Sequence, residues 1–557
     1  MPAAASPEQE LPVLIIGGSL VGLSAALFLR WHGVDVLGVE RHAGTAIRPR
    51  SGHLQLRTLE LLRSVGLEDV VRRKGEEQYD PDGGINNVES LAGREIANYF
   101  PDLNTGVAEF SPTVRLFIDQ DKLEPILRAR AEELGARLRY GIECTGIVQD
   151  ADGVTAVLMN ATDGTQSTVR AQYVIAADGN RSPVREQLGI GMHGPGVLSN
   201  SITIYFRSEA DLEPLLRDRN QGVHYVTNPL LRGFFRLNRS GNEGFLAVNL
   251  IGDTARPEIV AAYPGAPWAN VAEGITEERA LELLRAAIGV PGIPVVIEDI
   301  ATWQAVAEGA DTYQSARVFL AGDAAHVVPP NGGYGGNTGI QDAHNLAWKM
   351  ALVLAGTAGP ALLQTYDAER RAVGDLTVEQ AYTRYVTRVA PYLGTQTVQP
   401  IVDDFSMEIG YCYNSASMIP GRDDASPRHE HPGTSHGRPG SRAPHVVLDR
   451  GGTRLSTLDL FGKSFVLLAG TAGAAGTDLC TAALAAGRQL GVDLVAYQVG
   501  GDELRDVDGQ FLIAYGILPS GAVLVRPDGF VCWRAVDATG ASPSALAEVL
   551  RTVLCRG

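Results

Sequence analysis

Apolar and polar positions alternate along the first forty residues in a pattern that changes period twice. The run "VLII" (13–16) is continuous, "LVGLSAALFLR" (20–30) places its apolar residues at helical spacing, and "VDVLGVE" (34–40) returns to a short apolar run. This predicts a strand, a tight turn, a helix and a second strand. Further on, "DKLEPILRARAEELG" reads as a helix and "TAVLMNA" and "QYVIAAD" as strands, so the chain to about residue 190 is an α/β layer with β excursions. Between about 197 and 305 the short runs "SITIYFRS", "VHYVTNP", "GFFRLNR" and "GFLAVNLIG" predict a β-rich insertion covering a pocket. The strand "RVFLAGDAAH" (317–326) and the helix "GIQDAHNLAWKMALVLAG" carry the chain back to the first layer.

Residues 414–445, dense in Pro, Gly, Ser and charge, read as a linker or a surface excursion. Beyond it, strand "SFVLLAG", helix "TDLCTAALAAGRQLG", strand "VDLVAYQVG" and a hairpin closed at Pro527, Asp528 and Gly529 resemble the thioredoxin-like fold. The unit has no C-x-x-C, so the redox chemistry of that fold is not expected. The expected organisation is a discontinuous nucleotide-binding domain (1–190 and 310–413), a β-rich domain (191–309), the linker (414–445) and the C-terminal unit (446–557).

Composition narrows the function. With 47 Lys and Arg against 64 Asp and Glu, the formal charge is −17, which disfavours nucleic acid and anionic membrane surfaces as partners. No stretch approaches the roughly 20 apolar residues of a membrane span. The five cysteines are scattered and odd in number, which argues against a disulfide framework or a zinc site, and a cytoplasmic enzyme is expected. His429, His431 and His436 lie in the Pro/Gly-rich stretch without helix or strand spacing and read as solvated.

The turn after the first strand departs from G-x-G-x-x-G by one letter: Gly17, Gly18, Ser19, Leu20, Val21, Gly22. Glycines there allow a tight turn whose N–H groups and helix end face a pyrophosphate, and the Ser19 hydroxyl is expected to donate to a phosphate oxygen. Glu40 ends the next strand 18 residues after Gly22, about where an acid binds a ribose diol. A carboxylate repels a 2′-phosphate, which leaves NAD or FAD for this site. The strand "FVLLAGTAGAAG" enters a second glycine-rich turn at Gly470, Gly473 and Gly476. Its spacing is wrong and no acid ends the next strand, so it reads as an ordinary βα turn.

Two further stretches decide between the dinucleotides. "AADGNRSPVR" follows one strand; "FLAGDAAHVVPPNGGYGG" places Asp323 at another strand end, followed by a glycine-rich loop opening a helix. An acid suits sugar-alcohol hydroxyls, and bare N–H donors suit a flat electron-accepting ring. With these motifs in this order the whole chain resembles the class A flavoprotein aromatic hydroxylases, typified by para-hydroxybenzoate hydroxylase. It is most similar to the larger bacterial members acting on anthracycline- and angucycline-type polyketides.

The resemblance implies that Gly17, Gly18, Ser19, Gly22, Glu40 and Arg41 hold the ADP part of FAD. Arg48 and Arg50 match arginines after the ribose-binding strand, with Arg50 beside the pyrophosphate and flavin. Gln120 matches a contact of the flavin side chain. Asp178, Gly179 and Arg185 match the motif that holds FAD and positions the nicotinamide cofactor. Gly322 and Asp323 match the ribityl-binding turn, and Pro330, Gly335, Gly336 and Asn337 the loop at the flavin ring. NADPH or NADH is implied as a transient hydride donor and O₂ as co-substrate, with oxygen passing from a flavin C4a-hydroperoxide to a polycyclic phenol or quinone. Baeyer–Villiger or quinone-forming oxidation, and a flavin-binding scaffold without catalysis, stay open as alternatives, as does a homodimer.

Substrate contacts are expected from the β insertion, at Tyr225, Arg232, Phe235, Trp303 and Gln304. His53 and His326 flank flavin motifs as packed or proton-relaying histidines. No catalytic base is assigned.

Overall fold

The computed structural model describes residues 9–50, 52–252, 269–394, 396, 398–421, 427–471, 473–501, 503–539 and 543–556. Its first sheet is built from the alternation noted above. The strands Val36–Glu40, Gln9–Ile16, Gln166–Ala176 and Val318–Leu320 lie side by side in parallel, with Val13 opposite both Val36 and Tyr173. Val13 to Ile15 are completely buried, which is why this strand reads as a continuous apolar run and not as an alternation. Helix α1 (Leu20–Trp31) starts directly at the turn and buries Leu20 and nearly every residue from Gly22 to Leu29 against the sheet. Helix α2 (Leu56–Ser64) and helix α3 (Gln120–Glu133) complete the cover near the cofactor motifs.

A second, eight-stranded sheet runs in the order His326–Val327, Val295–Ala310, Met192–Ser208, Glu243–Ile251, Leu231–Leu237, Gly222–Thr227, Gly84–Val88 and Glu95–Phe100. The last two strands come from a part of the sequence expected in the nucleotide-binding layer. Gly84–Val88 pairs in parallel with Gly222–Thr227, so an early excursion of the chain extends the insertion's sheet. On one face Ile202, Ile204, Phe206, Phe235, Leu246 and Val248 pack with helix α4 (Glu277–Ile288). The period of two then sends Ser201, Thr203, Tyr205, Phe234 and Arg236 to the other face.

Helix α5 (Tyr334–Leu354) and the long α6 (Ala361–Arg388) run from this junction toward the C-terminal unit. There the strands Leu494–Gln498, Phe465–Ala469, Ala522–Val525 and Val531–Ala535 form a four-stranded sheet, flanked by helices Gly473–Leu490 and Pro543–Val553. Among the described residues of the Pro/Gly-rich stretch expected to be a linker or surface excursion, Met418, Ser435, Ser441, Arg442 and Ala443 are buried, so parts of it pack into the fold. His431 sits edge-on to Phe110, 5.0 Å away, so it is not simply solvated. Among the described residues no helix is long and apolar enough to cross a membrane.

Candidate functional site: a dinucleotide cradle facing an aromatic wall

The first turn closes only with glycine at two positions. Gly17 adopts φ +105°, and a Cβ there would lie 2.1 Å from the Ala177 carbonyl oxygen; at Gly22 it would lie 1.8 Å from the Gly17 oxygen. The strand Gln9–Ile16, its neighbour Gln166–Ala176 and α1 therefore meet at van der Waals limits. Glu40 stands beside this turn: its Oε2 accepts the Gly18 N–H at 2.8 Å and its Oε1 the His42 N–H at 2.9 Å. A carboxylate at this height can take up a ribose diol, and Arg41 follows it exposed on the surface.

Ser19 behaves differently from the expectation. Its hydroxyl donates to Glu124 Oε1 at 2.5 Å, so it is committed to the protein and not directed at a phosphate. Glu124, fully buried, also accepts from Gln120 Nε2 at 2.6 Å and from the Ala46 N–H at 2.6 Å. Gln120 and Glu124 are four residues apart on α3, hence on one face of the helix. That spacing is the signal from which Glu124 could have been read. Gln120 does reach the turn, since its Nε2 also donates to Ser19 at 2.9 Å.

Asp178 and Asp323 end neighbouring parallel strands. Asp178 Oδ2 accepts the Val184 N–H at 3.2 Å, while its buried Oδ1 has no protein partner. Gly179 (φ +86°) turns the chain, and Arg185 ties the two motifs together by donating to the Ala324 and Asn180 carbonyls, each at 3.0 Å. Asp323 is open to solvent, yet the protein packed around it raises its carboxyl above the usual range. Its turn is fixed by the Gly322 N–H donating to Asp342 Oδ2 at 3.1 Å. Asp342 also pairs with His326 Nε2 at 2.6 Å and Arg370 Nε at 2.7 Å. His326, wholly buried in this network, is a packed histidine.

The loop from Pro330 into α5 carries Gly335 and Gly336 at the first turn of the helix, where N–H groups have no intrahelical acceptor. Asn337 is used up within the protein: its Nδ2 donates to the His53 and Gly333 carbonyls, both at 2.7 Å, and its Oδ1 accepts the Gln55 N–H at 3.0 Å. Its side chain thus shapes the loop. Nearby, burial and then Arg115 and Arg236 push His53 down to about 3, leaving it neutral, with Nε2 unpartnered in the protein. Arg48 reaches across to the second sheet, pairing with Asp299 at 2.9 Å, while the Arg50 carbonyl accepts the Gln120 N–H at 3.4 Å.

Five substrate contacts were expected, and strand parity divides them. Tyr225 pairs with Phe234, and Ser201 with Trp303, so Tyr225 and Trp303 lie on the face turned away from α4, with Arg232 on the same parity as Phe234. Phe235 and Gln304 do not. Phe235 is fully buried in the core against α4, and Gln304 pairs with Asn200 on that same outer face, where it is exposed and donates to Asn200 Oδ1 at 2.8 Å. The alternation of the two strands was legible, but which parity faced the cofactor was not.

The inner face adds residues that the sequence reading missed. Tyr99 stands 5.9 Å from Tyr225, ring to ring, and Arg388 of α6 lies over Tyr99 at 4.4 Å and 5.7 Å from the Tyr225 ring. Asn331 of the flavin-side loop donates to that same hydroxyl at 3.2 Å. Deeper, Arg236 lies 4.1 Å from the centre of Tyr79 and 4.8 Å from that of Phe117. Behind Tyr79 and Phe117 lies a cavity of about 160 Å³ bounded also by Arg72, Asn104 and Arg115, away from the expected substrate residues.

Gln304→Ala is expected to leave substrate KM within about twofold of the parent. Phe235→Leu is expected to lower unfolding free energy by about 1–2 kcal/mol without changing KM. Steady-state kinetics with denaturant melts checks both, and a large KM change for either would put the substrate on the outer face.

Two glycines that only glycine can occupy, an acid for a ribose, a buried carboxylate oxygen without a protein partner and a helix start beside an aromatic sheet together fit FAD. These features define a flavoprotein of the two-layer, sheet-covered type. The chain matches a family model described as an FAD binding domain over residues 10–381, and one described as aromatic-ring hydroxylase, C-terminal, over residues 436–556. It is 54% identical over 559 aligned residues, the whole of both chains, to 4-methyl-5-nitrocatechol 5-monooxygenase of Burkholderia sp. It is 41% identical to tetracenomycin A2 monooxygenase-dioxygenase of Streptomyces glaucescens, covering 97% of each. The solved aklavinone-11 hydroxylase in ternary complex with FAD and aklavinone superposes with a TM-score of 0.88 at 38% identity, covering 99% of this chain and 100% of that one. The chain belongs to the FAD-dependent aromatic-ring monooxygenases.

Proposed function

We propose that this enzyme hydroxylates a phenolic ring held against the inner face of the second sheet, using NAD(P)H and O₂. Bound FAD supplies hydride acceptance and oxygen activation. The protein's own contribution is orientation and charge. Tyr225 supports the reading: its hydroxyl accepts from Asn331 of the flavin-side loop at 3.2 Å and the Arg388 guanidinium of α6 lies 5.7 Å from its ring, so a polar group and a cation stand together on the inner face. A guanidinium beside a phenol favours the phenolate, which activates the ring toward electrophilic oxygen. The rings of Tyr99, Tyr225, Phe234 and Trp303 supply an apolar wall that excludes water. Glu40 disfavours a nicotinamide dinucleotide with a 2′-phosphate in the ADP cradle, consistent with NAD(P)H visiting elsewhere.

Ring size separates two substrates. The whole-chain identity of 54% to a nitrocatechol monooxygenase supports a single-ring catechol; the polyketide relatives support a fused-ring phenol. The test is anaerobic bleaching of the flavin by NADH and by NADPH, with 4-methyl-5-nitrocatechol or aklavinone added, followed by ¹⁸O incorporation from O₂ into product. Labelled hydroxyl in one product names the ring class. NAD(P)H oxidation that yields only hydrogen peroxide with every phenol would overturn the reading.

A further inference from the structure

We propose that the buried hairpin turn of the C-terminal unit, with Arg442 beside it, is a positioning device for the flavin cradle, anchoring α2 close to its start and α5 in its second half. Turns normally lie in water because their backbone and polar side chains need it. This one, Arg526-Pro527-Asp528-Gly529-Phe530, is buried throughout. Phe530 stacks on Tyr413 at 4.1 Å, and Arg526 forks onto Glu369 of α6 at 2.7 and 3.0 Å. Glu369 in turn accepts from Lys349 and Asn345 of α5, both at 2.8 Å. At its start, α5 carries the loop that faces the flavin ring.

The second anchor acts on α2. Arg57 donates to the Asp528 carbonyl and to Glu60 Oε2 at 3.0 Å, and Arg442 Nη2 donates to Glu60 Oε1 at 2.8 Å. Burial alone would raise the Glu60 carboxyl, but Arg442 and Arg57 pull it down to about 2, so it stays charged. Just before α2, Gln55 gives its N–H to Asn337 Oδ1 at 3.0 Å and its Nε2 to the Gly332 carbonyl at 3.1 Å. Both helices that meet at residues 332–337 are therefore tied to the C-terminal unit, α2 within its first turns and α5 farther along. Buried ion pairs add little stability over apolar packing of the same shape, whereas their directional bonds fix one geometry. That is the property a cofactor loop requires.

The inference rests on FAD occupying the cradle and not on the substrate reading. Full-length apo-protein is titrated with FAD, following flavin fluorescence well below the melting temperature, for the paired variant Glu60→Met/Arg442→Met, for Arg526→Lys and for Arg63→Ala. The last removes an exposed pair with Asp459 that joins the same units away from the loop. The first two are expected to keep the parent's circular dichroism and to bind FAD about tenfold more weakly or worse, while Arg63→Ala keeps the parent Kd. Should the paired variant not fold, Arg526→Lys, which keeps the charge but loses the fork, carries the test. A folded Arg526→Lys or paired variant with the parent Kd overturns the proposal, as does an equal loss in Arg63→Ala. A contact that only stabilised the fold would move the melting temperature and leave the FAD Kd alone.

Discussion

A Gly22→Val protein is expected to purify colourless and to bind added FAD at least about 100-fold more weakly than the parent, a loss of about 2.7 kcal/mol. Even a Cβ at this position would lie 1.8 Å from the Gly17 carbonyl oxygen, which belongs to backbone and has nowhere to rotate. Gly17 cannot give way, because its own Cα already faces the Ala177 carbonyl at the end of the neighbouring strand. The start of α1 must then lift away from the sheet. The N–H donors and positive helix end that face the pyrophosphate leave with it. Apo-protein titrated with FAD measures the loss, and Gly146→Ala, whose Cβ would meet nothing within 4 Å, serves as the control. Retention of FAD by Gly22→Val within about threefold of the parent would remove the pyrophosphate from this turn.

How far the sequence carried depends on the length scale of each feature. The cradle was legible because its determinants are local: a strand, a turn with Gly17 and Gly22, a helix, and Glu40 at the next strand end. Asp178 and Asp323 were legible as strand-end acids for the same reason, each ending an apolar run. Ser19 was misassigned because its partner, Glu124, is 105 residues away and only the packing of α3 on α1 brings them together. Phe235 and Gln304 failed on parity, since a one-residue offset moves a side chain to the opposite face and nothing local says which face meets the cofactor. The strands between residues 84 and 100 joined the second sheet through a parallel pairing whose partner lies far along the chain. The Pro/Gly-rich stretch was judged by composition, which does not report that Arg442 would find Glu60. Long-range ion pairs leave no periodic trace.

Tyr225→Phe separates positioning of the substrate from possession of the cofactor. The variant loses one oxygen and keeps the ring, so the edge-on contact with Tyr99 at 5.9 Å and the apolar wall persist. FAD binding and the rate of flavin bleaching by NAD(P)H are expected to match the parent. Hydroxylation kcat is expected to fall about 100-fold at neutral pH, the low end of what a positioned proton-handling group contributes. The loss should shrink as pH rises. On the proposed placement Arg388 and the Tyr225 hydroxyl would together favour the substrate phenolate, and above the phenol's own pKa the phenolate forms without them. The uncoupled fraction, NAD(P)H consumed without hydroxylated product, should rise in parallel at neutral pH and fall back at alkaline pH. A loss of kcat independent of pH would mean that Tyr225 only packs the wall. An unchanged kcat would mean that the reacting ring lies elsewhere on the sheet, with Arg232 and Trp303 the next side chains on the same face to test.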